Sequence, residues 1–150
     1  MNLEQIKNLL SLGENQRVEF KSSIRNLEVL GKTVCGFLNS AGGYLICGVS
    51  ERGKILGIGD SPDAVNKLER YLIEHISPKA FVAVQTEELD KKLVISIEVP
   101  AGSDVPYAFK DVIYIRTGEL TQVAKSQTIR DIVMRHQIEP ERWESRSSFA

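Results

Sequence analysis

The chain has 150 residues, 42% of them hydrophobic and 26% charged, with nineteen basic side chains against twenty acidic ones. That length fits one domain with a sizeable core. The near-zero balance excludes a chain that binds nucleic acid by bulk charge, so any phosphate binding must come from a local cluster.

Leu3, Ile6, Leu9 and Leu10 recur at helical spacing, with Asn2 to cap and Gly13 to stop, and predict a helix over 3–12. Residues 17–22 alternate. Val18 and Phe20 point one way and Arg17, Glu19 and Lys21 the other, a half-buried strand with a charged face. Leu27, Leu30, Val34, Phe37 and Leu38 form the apolar stripe of a helix over 27–39. "NSAGG" ends it and leads into a buried strand, "YLICGV", and Gly53 marks a hairpin-like turn into "KILGIG". Ser61 and Pro62 make an N-cap and first-turn pair for a third helix carrying Val65, Leu68, Leu72 and Ile76, stopped by Pro78.

Two strands follow, "FVAVQTEEL" and "KLVISIEV", turning at Asp90 and Lys91, with Leu93, Ile95, Ile97 and Val99 on one face. A loop, "PAGSDVPYAFKD", leads to a last strand, "VIYIRTG". Its alternation puts Ile113 and Ile115 on one face and Tyr114 and Arg116 on the other, exposed one. Ser126 caps a final helix with Ile129, Ile132 and Val133. The expected architecture is α+β, a mixed and mostly antiparallel sheet of about six strands with about four helices packed on it. The domain is expected over 1–138, with 139–150 a polar tail or linker. No apolar run approaches membrane-spanning length and no leader-like segment precedes the first helix, so a cytoplasmic protein with no membrane partner is expected.

Three stretches carry possible chemistry. Glu14 and Glu19 stand five apart across a turn, and Lys21 shares the strand face with Glu19. Two carboxylates held close need a cation, a shared proton or a lysine. A divalent metal with oxygen ligands is one such partner, and a solvated strand edge is the plain alternative. In "NSAGGYLICGV", Asn39, Gly42 and Gly43 join a helix to a buried strand, either as a close-approach turn or as a helix C-cap. A Walker A loop is excluded, because the GK[ST] ending is missing and the order is helix to strand. In "YIRTGE", Tyr114 and Arg116 on one strand face suit base stacking and phosphate contact. Cys35 and Cys47 lie in apolar runs. With His75 and His136 they lack the paired spacing of a zinc site and read as buried, reduced thiols. No GxSxG elbow accompanies the histidines.

Taken together, Glu14, "VEFKSS" (18–23), "FLNSAGG" (37–43), "YLICGVSERGKILGI" (44–58), "ISP" (76–78), "VP" and "PYAF" (99–109) and "YIRTG" (114–118) resemble the Schlafen AlbA-type domain family. The order is the family's, and the resemblance covers about residues 10–135. It implies an AlbA-like α+β fold. Bacterial members are regarded as DNA-binding or regulatory domains, often at the N-terminus of regulators and of divergent ATPases. Animal Schlafens include ribonucleases that cut structured RNA such as tRNA, using two glutamates five apart and an aspartate.

Carried over, the catalytic acids and metal ligands fall on Glu14, Glu19 and Glu51, with Lys21 beside the scissile phosphate and Mn²⁺ or Mg²⁺ as the implied ion. Glu51 departs from the family's aspartate, and the residue next to Val49 is Ser50. Schlafen nucleases grip RNA between two such units, so one copy implies a homodimer for a comparable groove, or a fused C-terminal regulatory or ATPase domain. The leading expectation is a nucleic-acid-binding domain in which Lys21, Asn39, Gly42, Gly43, Tyr114 and Arg116 contact the backbone of DNA or RNA. A metal-dependent endoribonuclease comes second, and a protein-interaction or sensor module of a longer regulator third.

Overall fold

A computed structural model describes residues 1–59 and 62–147, with 138–147 described as backbone only. The chain runs α1 (Leu3–Leu12), β1 (Val18–Lys21), α2 (Leu27–Leu38), β2 (Gly43–Cys47), α3 (Ala64–His75) and β3 (Ile76–Ser77). It continues through β4 (Ala83–Leu89), β5 (Lys92–Val99), β6 (Ala108–Phe109), β7 (Tyr114–Thr117), β8 (Leu120–Val123) and α4 (Ser126–Ser147). The expected α+β class holds. The main sheet has the order β1-β2-β5-β4, with β1 parallel to β2 and the other pairs antiparallel. Two small antiparallel pairs, β3 with β6 and β7 with β8, stand outside it. Among the described residues no helix is long and apolar enough to cross a membrane.

The local signals act as their chemistry requires. Asn2 closes a capping box with Gln5 at the start of α1, and Gly13 ends the helix at φ 82°. Asn26 caps α2 by accepting from the Val29 N–H. Asp90 and Lys91 both adopt positive φ, as a two-residue turn between right-twisted strands demands.

Alternation on the central strands then divides the core. Leu45, Cys47, Ile95, Ile97 and Val99 face α2 and α3, where Leu30, Val34, Phe37, Leu38, Leu68 and Leu72 meet them. Val18, Phe20, Ile46 and Val94 face the other way, against Ile6 of α1. Each such side chain buried contributes about 1.5–3 kcal/mol, so the two-sided sheet carries most of the driving force.

Several expectations are corrected. Eight strands stand among the described residues: "LTQV" pairs with "YIRT" and two-residue strands form at Ile76–Ser77 and Ala108–Phe109, while the expected strand "KILGIG" is reduced to a single bridge between Val49 and Ile55. α3 begins at Ala64 with Asp63 in the cap position; Ser61, the expected cap, lies outside the described residues. Ser126 is the first residue of α4 rather than its cap, with the Lys125 carbonyl accepting from the Ile129 N–H. The helical backbone continues through Pro140 to Ser147. The charged face of β1 is not a solvated edge. Glu19 is only 8% exposed, because the β7–β8 hairpin lies on α2 beside it. Arg116 is likewise not on an exposed strand face, and its side chain has no solvent exposure at all.

Candidate functional site

Glu19 leaves β1 on the α2 side of the sheet, the side opposite Val18 and Phe20. There it meets Arg116 of β7, with Nη1 to Oε1 at 2.6 Å. The other guanidinium donors are also engaged. Nη1 reaches the Thr121 hydroxyl (3.3 Å), Nη2 the carbonyls of Asn15 (2.8 Å) and Val18 (3.2 Å), and Nε the Gln16 carbonyl (3.3 Å). The group lies 4.9 Å from the Phe37 ring centroid. A guanidinium has five N–H bonds, and all five are directed into the protein. Arg116 is therefore a tie between β7 and the segment 15–19, and the phosphate contact expected of it is corrected.

Asn39 and the glycines after it are structural in the same way. The Asn39 amide donates to the carbonyls of Tyr107 and Tyr114, both at 2.8 Å, and its Oδ1 accepts the Tyr107 N–H at 2.7 Å. Gly42 sits at φ 76°, and a Cβ there would lie 2.6 Å from the Val99 carbonyl oxygen. A Cβ on Gly43 would lie 2.6 Å from the Arg17 carbonyl oxygen and equally close to the Phe37 ring. The Gly42 N–H is spent on the Phe37 carbonyl, 2.9 Å away. This turn is a helix end packed against a strand, not a cradle for phosphate.

Beside the Glu19–Arg116 pair a cleft of about 380 Å³ opens to solvent. Glu14, Glu19, Lys21 and Glu51, the four residues expected to act together, all line it. Lys32, Thr33, Glu119 and Thr121 line it too, and sequence reasoning had not assigned them a role there. Glu119 and Thr121 belong to the β7–β8 hairpin, so recognising β8 was the signal needed to find them. Lys21 Nζ stands 3.7 Å from Glu19 Oε2, with about a third of its side chain (32%) exposed.

Glu14 accepts the Phe20 N–H at 3.0 Å. Burial, together with a hydrogen bond to the Glu19 carboxylate, pushes its pKa up to about 7, against the lowering effect of that N–H and of Lys21. Glu14 is thus partly protonated near neutral pH. The folded chain keeps a proton that the unfolded chain loses near pH 4.5, so stability falls as pH rises from there through about 7. Glu14→Gln keeps the acceptor for Phe20 and removes the titration. Its melting temperature should gain on the wild type by a few degrees between about pH 5 and pH 8, solvent screening blunting the full effect. A constant gap across that range would refute the raised pKa.

The oxygen donors are the type that Mg²⁺ or Mn²⁺ prefers. The positions do not fit an ion, however. Among the described residues no three acidic, histidine or cysteine side chains stand close enough to hold one. Glu19 is instead neutralised by Arg116 and Lys21.

The model of the Schlafen, AlbA_2 family matches residues 14–125, well over half of the chain. Two solved structures share the fold. The DIP2311 protein from Corynebacterium diphtheriae matches at TM-score 0.63 and 18% identity, over 81% of this chain and 29% of its own length. The N-terminal domain of a protein from Nitrosomonas europaea, named as related to the ATP-dependent DNA helicase RecG, matches at TM-score 0.60 and 20% identity, over 82% of this chain and 88% of its own. The chain therefore spans less than a third of the Corynebacterium protein. No curated protein matches it.

Proposed function

This chain belongs to the Schlafen AlbA_2 family, and from that membership we propose that it is a nucleic-acid-binding domain whose cleft takes the phosphodiester backbone. The observation that carries this reading is the charge arrangement of the cleft. Four glutamates line it, yet Glu19 is neutralised by Arg116, and Glu14, its pKa pushed up to about 7, is only partly ionised near neutral pH. Lys21 and Lys32 then face the cleft with enough positive charge to offset Glu51 and Glu119. Lys21 can turn from its 3.7 Å contact with Glu19 to a phosphate without leaving that carboxylate unpaired, because Arg116 stays in place. The Nitrosomonas neighbour, named for a DNA helicase, is in keeping with such a role.

Binding through phosphates releases counterions and weakens steeply with salt. Lys21→Ala should weaken binding to labelled DNA or RNA and lower the slope of log affinity against log salt by about 0.7–0.9. Affinity that stays flat from low to moderate salt would end the proposal.

The convergence of Glu14, Glu19, Lys21 and Glu51 on one cleft favours a second reading, a Schlafen-like endoribonuclease acting on structured RNA. The carboxylates do not cage a metal ion as they stand, which sets binding ahead of cutting. Incubating tRNA with Mn²⁺ and either wild type or Glu51→Gln separates the two. Cutting by the wild type alone supports the nuclease, and no cutting by either removes it.

A further inference from the structure

Lys32, on one wall of the cleft, also stands over the Tyr114 ring, 5.7 Å from its centroid. From there aromatic rings continue away from the cleft. Tyr114 to Phe109 is 6.4 Å between centroids, Phe109 to Tyr71 is 6.0 Å, and Tyr71 to His75 is 4.2 Å. A second lysine, Lys110, lies 5.6 Å from the Phe109 centroid and 5.9 Å from that of Tyr71. Phe109 is buried and serves as the floor; Tyr71, His75 and Tyr114 are half-buried around it, and Lys110 is exposed.

The arrangement is built from several separate parts of the chain. Phe109 fits against α2 only because residue 31 is glycine, where a Cβ would collide with its ring. The Lys110 N–H donates to the His75 carbonyl at 2.9 Å, which fixes β6 to the end of α3. Lys110 and Asp111 both take positive φ, and this turn sets Lys110 over the rings. Among the described residues neither Lys32 nor Lys110 is in an ion pair. Their charges are turned towards ring faces and solvent.

Lysines interleaved with partly open aromatic rings are what an unpaired nucleic-acid strand needs: cations for its phosphates and flat surfaces for its bases. A duplex stacks its bases on one another and offers no free faces. Resting on the nucleic-acid reading above, we infer that Lys32, Tyr114, Lys110, Tyr71 and His75 form a track for single-stranded nucleic acid leading into the carboxylate cleft. Bases lie against Tyr114, Tyr71 and His75, and Lys32 and Lys110 hold the intervening phosphates. The track joins the cleft at Lys32, which belongs to both.

The test is fluorescence anisotropy with a fluorescein-labelled oligothymidylate and a duplex of matched length, using the full chain. Tyr71→Ala should weaken single-strand binding by roughly fivefold or more, the lower end of base–aromatic stacking, and leave duplex binding nearly unchanged. Lys110→Glu, at an exposed position that does not endanger folding, should lower single-strand affinity at least as much. Lys21→Ala should weaken both ligands. If Tyr71→Ala and Lys110→Glu bind the single strand like the wild type while Lys21→Ala is impaired, the track is wrong and the cleft reading stands. Equal losses on the duplex would overturn the preference for an unpaired strand. Absence of binding to either ligand by the wild type would overturn both readings.

Discussion

Arg116→Ala should cost about 3–5 kcal/mol of folding stability, the range for removing one partner of a buried ion pair. The change leaves Glu19 charged and buried, and it strips the donors from the carbonyls of Asn15, Gln16 and Val18. For a domain of this size the melting temperature should drop by roughly 10 °C. Arg116→Lys should recover little, because a lysine ammonium has three donors on one point and cannot span the Glu19 carboxylate and three carbonyls. The double variant Arg116→Ala/Glu19→Ala should lose less than the two single losses added together, since the stranded charge is gone. A single Arg116→Ala variant melting within about 2 °C of wild type would contradict the buried tie. A nucleic-acid-contacting arginine makes the opposite prediction: binding lost, stability kept.

Asn39 gives the second large effect. Asn39→Ala leaves the Tyr114 carbonyl and the Tyr107 N–H unpartnered, with only the weak Cys35 thiol donor left to the Tyr107 carbonyl, and should cost about 1–3 kcal/mol. Asn39→Asp, nearly the same shape, should be worse, about 3–5 kcal/mol, because it sets a buried negative charge against the Tyr107 and Tyr114 carbonyls. Urea midpoints of the two variants decide it. If the aspartate variant is as stable as the alanine one, the amide is not donating as described. The order matters for function, because an Asn39 that touched phosphate would lose affinity without losing the fold.

The strand and helix positions were readable because long periodic segments determine them. Leu27, Leu30, Val34 and Phe37 repeat at helical spacing, and Ile95, Ile97 and Val99 alternate along a strand with one face buried. β8 was not readable. Its four residues include Leu120 and Val123, both exposed, so they show no alternation. The two misplacements with the greatest consequence were halves of one interaction. Glu19 and Arg116 each alternate with apolar residues, and alternation alone puts a charge outside. Ninety-seven residues separate them, and no local period reports a partner at that distance. Glu14 and Lys21 stand out beside Glu19 by spacing, Glu51 only by resemblance to a family pattern, and the cleft that joins them is visible only once the hairpin is in place.

The last point reaches into biosynthesis. The main sheet is complete at Val99, whereas the cleft takes Glu119 and Thr121 into its lining and has Arg116 paired with Glu19 beside it. A domain generally folds as a unit during synthesis, so the site waits for the residues that come last. Until residue 116 has emerged, Glu19 lacks its guanidinium partner, and the sheet face that becomes the cleft floor lies open beside α2. The strands that carry the site are thus encoded before the residues that close it.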